Sequence, residues 1–269
     1  MKETREILVT NDDGFRARGI HVLAQLLRGY GNVTVVAPAE PQSGRSVSLT
    51  LDKPLMIERP LQEAAADGLG SLRVYTLSGT PADCAKLGIN LFLHEGKRPD
   101  LLASGINHGS NASAASIYSG TLGAAVEGAL YGIPSLGFSL DAHDESADLD
   151  GVLRYAPRIV DRVLADGLPP QVYLNVNFPA VPADEIRGIR LARQGAGRWV
   201  REFDHRTTRR GRHYFWMVGE FTDLEDPARA TDFPADHHLL DAGYIAVVPH
   251  RVDTTDYAAL DSLRKRWDF

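Results

Sequence analysis

Cysteine is nearly missing from this chain, which carries one, Cys84, in 269 residues. No internal disulfide can form, and a lone thiol fits a reducing compartment. As a single small apolar residue, Cys84 reads as core rather than as a nucleophile. Positive charge is also short: 29 Lys and Arg stand against 35 Asp and Glu, for a net charge of −6. That balance argues against nonspecific binding to nucleic acid or to an anionic membrane. It also means that an anionic substrate must be drawn in by a metal or by a local site. No stretch approaches the roughly 20 apolar residues of a membrane span. The opening Met-Lys-Glu-Thr-Arg-Glu runs directly into an apolar segment with no targeting sequence. The cytoplasm is therefore the expected compartment. Internal repeats and low-complexity tracts are absent as well. What is present is ordinary globular composition, 43% hydrophobic and 24% charged, in a chain long enough to bury a sizeable core.

The chain is organised around Ile7-Leu-Val-Thr-Asn-Asp-Asp-Gly-Phe15. The apolar run is too short for a helix and rich in strand formers, and it ends in two adjacent carboxylates and a glycine. A buried first strand of an open α/β sheet delivers acids to the sheet rim in this way, where such folds place ligands. Alternation along a strand would send Asp12 and Asp13 to opposite faces. They converge only if the chain leaves the strand before them, and Gly14 tolerates the positive φ of such a turn. Two carboxylates this close repel unless a proton or a cation intervenes, and a hard divalent ion resolves the repulsion. A solvated Asp-Gly surface turn is the plain alternative.

Downstream, Ile20, Leu23 and Leu27 recur at helical spacing, and Val33–Ala37 before Pro38 reads as a second buried strand. Strand, helix and strand in so short a span predict a parallel pair with a right-handed crossover. Residues 39–54 form a polar loop too long for a plain connection. It leaves the second strand's end, so it lies near Asp12 and Asp13. Val74–Leu77 predicts a strand, and Thr80-Pro-Ala-Asp83 opens a helix with a capping hydroxyl and a first-turn proline, a structural cap. Residues 99–105 predict a strand breaking at Gly105. A small-residue helix follows Ser119, with strands at 133–140 and 172–178 and a helix at 152–164 between them. The pattern then changes. Segments 189–192, 214–218 and 244–248 read as strands joined by long charged loops, either added to the sheet edge or forming an arm on a second subunit. The basic stretch His205–Arg212 reads as a solvated loop, and a final helix presents Leu260, Leu263 and Trp267 on one side. The division is a Rossmann-like core, 1–187, and a C-terminal extension, 188–269, with a hairpin arm and a final helix. The fold class is α/β, a three-layer, mostly parallel sheet.

Asp12, Asp13, Ser43 and Asn107 all fall at strand ends of one sheet. They offer charged and neutral oxygen ligands and no sulfur, which suits Mg²⁺, Mn²⁺ or Ca²⁺ better than zinc. The set fills part of an octahedron, leaving room for water and a phosphoryl oxygen, and a phosphate ester fits the open positions. The helix N-terminus after Ser119-Gly120-Thr121 offers N–H groups and hydroxyls to an anion. Asn111 adds an amide donor, and Gly109 and Gly120 permit close approach. His108 reads as a wall residue or proton carrier. The acids are adjacent rather than one residue apart, which favours attack by water over an aspartyl-phosphate.

Several ordered motifs carry a resemblance over nearly the whole chain: Asn11-Asp-Asp-Gly14, Gln42-Ser-Gly44, Gly79-Thr-Pro-Ala-Asp-Cys84, Ser104-Gly-Ile-Asn107-x-Gly109-x-Asn111, Tyr118-Ser-Gly-Thr121, Asn175-Val-Asn177-x-Pro179 and Thr231-Asp-Phe233. The chain resembles the SurE survival-protein family of metal-dependent nucleotidases. The resemblance implies hydrolysis of nucleoside 5′- and 3′-monophosphates, with short polyphosphate as a further substrate in some members. It implies one divalent cation, Mg²⁺ or Mn²⁺, on Asp12, Asp13, Ser43 and Asn107. Asp12, Asp13 and Asn107 are then the catalytic residues, and Asn11, Ser43, Gly109, Asn111, Ser119, Gly120 and Thr121 the phosphate and substrate contacts. A C-terminal extension exchanged within a homodimer or homotetramer is implied too. The chain departs from the family pattern at Ala112-Ser-Ala-Ala115, where many members carry Leu-Gly and an acid. A nucleotide-binding regulatory module without turnover is the alternative reading.

Overall fold

A computed structural model of the chain describes residues 4–66, 68–144, 146–226 and 231–267. The predicted first unit forms: β1 (Arg5–Thr10), α1 (Arg18–Leu27) and β2 (Gly31–Pro38), with β1 and β2 parallel. β3 (Ile57–Glu63), β4 (Leu72–Leu77), α2 (Pro81–His94) and β5 (Leu101–His108) follow. After them come α3 (Ala115–Tyr118), α4 (Gly120–Leu130), β6 (Ser135–Leu140), α5 (Asp150–Asp166) and β7 (Val172–Phe178). Alternation in β1 sends Ile7 and Val9 into the core under α1 and α5, and Leu8 into the one under α2 and α4. Being covered on both faces explains why the central strands read as continuous apolar runs.

The remaining elements are β8 (Ile189–Leu191), β9 (Arg198–Val200), β10 (Phe203–Thr207), β11 (His213–Met217), β12 (Glu220–Thr222), α6 (Asp236–Asp241), β13 (Ile245–Arg251) and α7 (Tyr257–Arg266). One nine-stranded sheet runs β3-β4-β2-β1-β5-β6-β7-β13-β8. The strands from β4 to β7 in that order are parallel, while β3 and β13 enter antiparallel to their neighbours β4 and β7. The chain moves outward from β1 through β2, then returns through α2 to β5 on the other side of β1. The order therefore reverses between β1 and β5, and the crevice beyond their carboxyl ends is where an open α/β sheet binds ligands.

Several elements differ from expectation. β3 pairs with β4 as the sheet's edge strand, with a register shift between Glu58 and Leu61. β5 does not break at Gly105. It continues to His108 with a register shift between Ser104 and Asn107, and this sets Asn107 beside Ser139 of β6. α6 occupies a span expected to be loop. The basic stretch is a solvated loop only in part: 208–212 form an exposed turn, while His205–Thr207 belong to β10, paired with β11 in an exposed hairpin. β8 and β13 extend the main sheet, whereas β10–β11 and β9–β12 stand as separate two-stranded pairs. Cys84 is fully buried, and burial pushes its thiol well above its ordinary pKa, leaving it inert. Among the described residues no helix is long and apolar enough to cross a membrane.

The cap of α2 does more than start a helix. The Thr80 hydroxyl accepts from Asp83 N at 3.1 Å, and Asp83 Oδ2 accepts from Thr80 N at 2.9 Å, a capping box. The same two side chains hold the long loop: Thr80 donates to the Ser48 carbonyl at 2.6 Å, and Asp83 accepts from Thr50 N at 3.1 Å. Burial alone would raise the Asp83 carboxyl, but the hydrogen bonds from Thr50 and Thr80 outweigh it and hold the group below its ordinary value. A lowered folded-state pKa stabilises the fold above the unfolded value, and that contribution is lost as pH falls through the folded one. Asp83→Ala is expected to cost about 1–2 kcal/mol at pH 7, the usual worth of a cap. The gap from the parent should narrow at acid pH; urea unfolding showing an equal gap at both pH values would contradict this.

Candidate functional site

β1 ends at Thr10, so the chain has left the strand before its two acids. Gly14 follows at φ +89°, the left-handed turn expected there. The Asn11 side chain closes the turn by donating to the Gly14 carbonyl at 2.9 Å. With the turn made, the carboxylates part company. Asp12 faces inward, 4% exposed, against the start of α4. Asp13 is half-buried and lines an open cleft of about 580 Å³ with Ser43, His108, His143, Arg16 and Glu40.

The Asp12 pocket is built by α4. Thr121 Oγ1 donates to Asp12 Oδ1 at 2.5 Å, a short charge-assisted bond. Ser119 caps the helix by accepting from Leu122 N at 3.1 Å. Gly120 is required by contact: a Cβ there would lie 2.8 Å from the Asp12 Cβ. Burial pushes the Asp12 carboxyl above its ordinary value, against the opposing pull of the Thr121 hydroxyl and the Gly120 and Thr121 N–H groups. The long loop is fastened to the same turn, since Gln42 N donates to the Asp12 carbonyl at 2.7 Å. That bond brings Ser43 to the rim.

From the other side of the switch point, His108 N donates to Asp13 Oδ2 at 3.3 Å. Asn107 donates its amide N–H to the Gly109 carbonyl at 2.7 Å, leaving the amide oxygen as the end that can face a cation. Asn111 is buried, and its N–H, its side-chain amide nitrogen and its carbonyl are each engaged. Its N–H donates to Asn177 Oδ1 at 2.8 Å, its side chain donates to Ser139 Oγ at 2.8 Å, and its carbonyl accepts from Asn175 Nδ2 at 2.9 Å. Asn177 in turn donates to Asn175 Oδ1 at 2.9 Å. This closed amide network seats the loop on β6 and β7. Asp13, Ser43 and His108 thus share one cleft, Asp12 adjoins the Ser119–Thr121 turn, and Asn107 and Gly109 lie at the end of β5.

Sequence reasoning missed His143, which lines the cleft and nearly touches Gly109: a Cβ on that glycine would lie 2.9 Å from the ring. Its signal was position, directly after the carboxyl end of a parallel strand. A second, smaller pocket of about 200 Å³ shares His143 and is walled by Trp199, Phe221 and His237. Trp199 and Phe221 meet edge to face at 6.0 Å. Nothing in residue spacing joins a residue near 140 to others near 200 and 221.

The sequence model described as Survival protein SurE matches residues 7–201. The 5′-nucleotidase SurE of Flavobacterium psychrophilum is 43% identical over 262 residues, covering 97% of this chain and 97% of that protein. That of Cytophaga hutchinsonii is 43% identical over 263 residues, covering 98% of this chain and 97% of its own. The crystal structure of the SurE protein from Aquifex aeolicus superposes with a TM-score of 0.76 at 35% identity, covering 98% of this chain and all of that one, 100%. On fold, length and sequence together, the chain belongs to the SurE family.

Proposed function

We propose that this chain is a divalent-metal-dependent phosphomonoesterase that hydrolyses nucleoside 5′- and 3′-monophosphates to nucleoside and phosphate. The observation that carries the reading is the contact of Asp13, next to Asp12 in the turn after β1, with the end of β5 at the switch point, in a chain whose full-length relatives bear the name 5′-nucleotidase. The donor set fits a hard cation. Asp12 is a buried carboxylate whose protein neighbours leave it undercompensated, since its pKa stays raised despite them. Asp12, Asp13, Ser43 and the Asn107 amide oxygen would hold one Mg²⁺ or Mn²⁺, with Ca²⁺ able to replace it. When bound, that ion neutralises phosphoryl charge and acidifies a water for in-line attack.

The protein's own share is placement. Thr121 and the first N–H groups of α4 aim Asp12 and offset part of the cost of its burial. The Asn111–Asn175–Asn177 network keeps the 108–111 loop rigid, so Gly109 and its neighbours present backbone to the phosphate. Ser119 and Gly120 line the same rim, Asn11 fixes the turn below it, and Ser43 arrives on the anchored loop. The nucleoside extends past His143 toward the aromatic pocket, where Trp199 and Phe221 give a base an apolar wall.

Residues 188–269 serve assembly in this reading. The arm's Phe203, Phe215, Trp216 and Met217 are 59–74% exposed, and α7 buries none of its residues. An isolated two-stranded hairpin is marginal in water. Exchange of the arm within a homodimer or homotetramer covers those side chains, and the lone buried cysteine is consistent with the cytoplasm.

Metal-stripped protein is expected to release no phosphate from AMP until Mn²⁺ or Mg²⁺ is restored. Tight AMP binding without release at any metal concentration would favour the regulatory module instead. Asp12→Asn should abolish turnover and keep its unfolding transition. Thr121→Val should weaken metal binding about 10–100-fold, as loss of an outer partner typically does, and Thr121→Ser should restore it; equal affinities in all three proteins would refute the role. Trp216→Asp should lower the mass measured by light scattering, and an unchanged mass would remove the arm from the interface.

A further inference from the structure

A second group of ligand-type side chains lies outside the rim where β1 and β5 end. Asp223 follows β12, and His237 and His238 are consecutive in α6. One ligand atom from each lies within 4.8 Å of the others. The Asp223 carboxylate is the hub. Its Oδ1 is 3.2 Å from His237 Nε2, and its Oδ2 is 2.8 Å from His238 Nε2. Tetrahedral bonds of about 2.0–2.2 Å put neighbouring ligand atoms about 3.4 Å apart. Side-chain adjustments of about an ångström would therefore bring all three onto one ion.

Protein contacts alone leave the group incomplete. The His237 side chain is only 8% exposed, and its Nε2 makes no well-formed hydrogen bond despite the nearby carboxylate. Its other nitrogen is fixed: Nδ1 lies 2.8 Å from Ser113 Oγ, and that hydroxyl donates to Asp236 Oδ1 at 3.2 Å. With Nδ1–H donating to Ser113, the Nε2 lone pair faces Asp223. Metal-binding histidines are oriented by an outer partner in this way. Asp236 is fully buried and accepts the N–H groups of Ser113, Gly195 and His237. It is satisfied as an acceptor and serves as the outer shell.

We propose that Asp223, His237 and His238 form a second divalent-cation site, separate from the oxygen set of Asp12 and Asp13. Two imidazoles and one carboxylate select a borderline transition ion such as Zn²⁺ over Mg²⁺ or Mn²⁺. Its place gives it a structural task. Asp223 lies at the root of the arm, His237 walls the aromatic pocket with Phe221 at 5.4 Å, and Ser113 belongs to the loop that begins at Asn111. An ion there ties the arm root to α6 and braces the loop beside the candidate phosphate site. Ser113 stands within the segment where the chain departs from the family pattern.

The test uses the full chain carrying Asp12→Asn, which disables the oxygen set. Titrated with Zn²⁺ alone, this protein is expected to bind one ion per chain and to unfold at a higher temperature in its presence. Co²⁺ in its place should give the intense visible bands of a four-coordinate ion. Adding His238→Asn, or separately Asp223→Ala, should weaken Zn²⁺ binding at least tenfold and abolish the bands. Both positions are exposed, so the metal-free variants should unfold as their parent does. No Zn²⁺ uptake by the Asp12→Asn protein, or uptake unchanged by both further substitutions, would overturn the proposal. Phosphate release by the parent chain bears only on the first site, and Zn²⁺ uptake by these variants only on the second.

Discussion

A carboxylate taken out of water must be answered by its surroundings, and the whole rim of this sheet is arranged around that demand at Asp12. The strand that delivers it is buried on both faces. The helix that receives it begins with a glycine because a side chain there would collide with Asp12, and continues with a threonine whose hydroxyl reaches the carboxylate at 2.5 Å. Those partners do not return the group to its ordinary acidity. A bound cation would answer that residual deficit, and the neighbouring Asp13, held toward β5 by His108 N, would supply the second charge.

The loops that complete the rim are held by polar anchors rather than by apolar packing. The long connection after β2 is tied at one end by Gln42 N to the Asp12 carbonyl and at the other by Thr50 N to Asp83. A helix cap thus doubles as a loop clamp. Across the rim, Asn111, Asn175 and Asn177 satisfy one another in a closed, buried set. Buried amide networks of this kind specify one geometry because any slip leaves groups unpaired. Rigid backbone beside the proposed phosphate site follows from that. Asn111, expected as a direct phosphate donor, also joins this network through its N–H, side-chain amide and carbonyl.

Much of this was legible in the residues. The central strands announce themselves as apolar runs because both of their faces are covered, and the turn after β1 is marked by Asp12, Asp13 and Gly14. Asn107 was legible for the same reason, as a polar residue just past a buried run. What stayed hidden depends on tertiary context. β3 is an edge strand whose described residues are nearly all exposed, with a register shift between Glu58 and Leu61. Of the arm hairpin only β11 was legible, from its aromatic run at 214–218; its partner β10 lies partly within the basic stretch read as a loop. α6 is six residues long and has a histidine pair where a pattern would be. His143, Trp199 and Phe221 converge only once the sheet order is known. The Asp83 cap was legible as a helix start, but its hold on Thr50 was not, since that contact joins residues 33 positions apart.

The C-terminal part divides between two tasks. β13 and β8 complete the sheet, while the β10–β11 hairpin and α7 present apolar side chains that this chain by itself leaves uncovered. The central claim concerns the rim itself: oxygen side chains far apart in sequence share one hard cation. Anomalous diffraction from crystals soaked in Mn²⁺ measures this directly. The account predicts a single strong peak in contact with the Asp12 and Asp13 carboxylates, Ser43 Oγ and the Asn107 amide oxygen. A Mn²⁺ peak elsewhere, with the Asn107 oxygen turned away from the acidic turn, would contradict it.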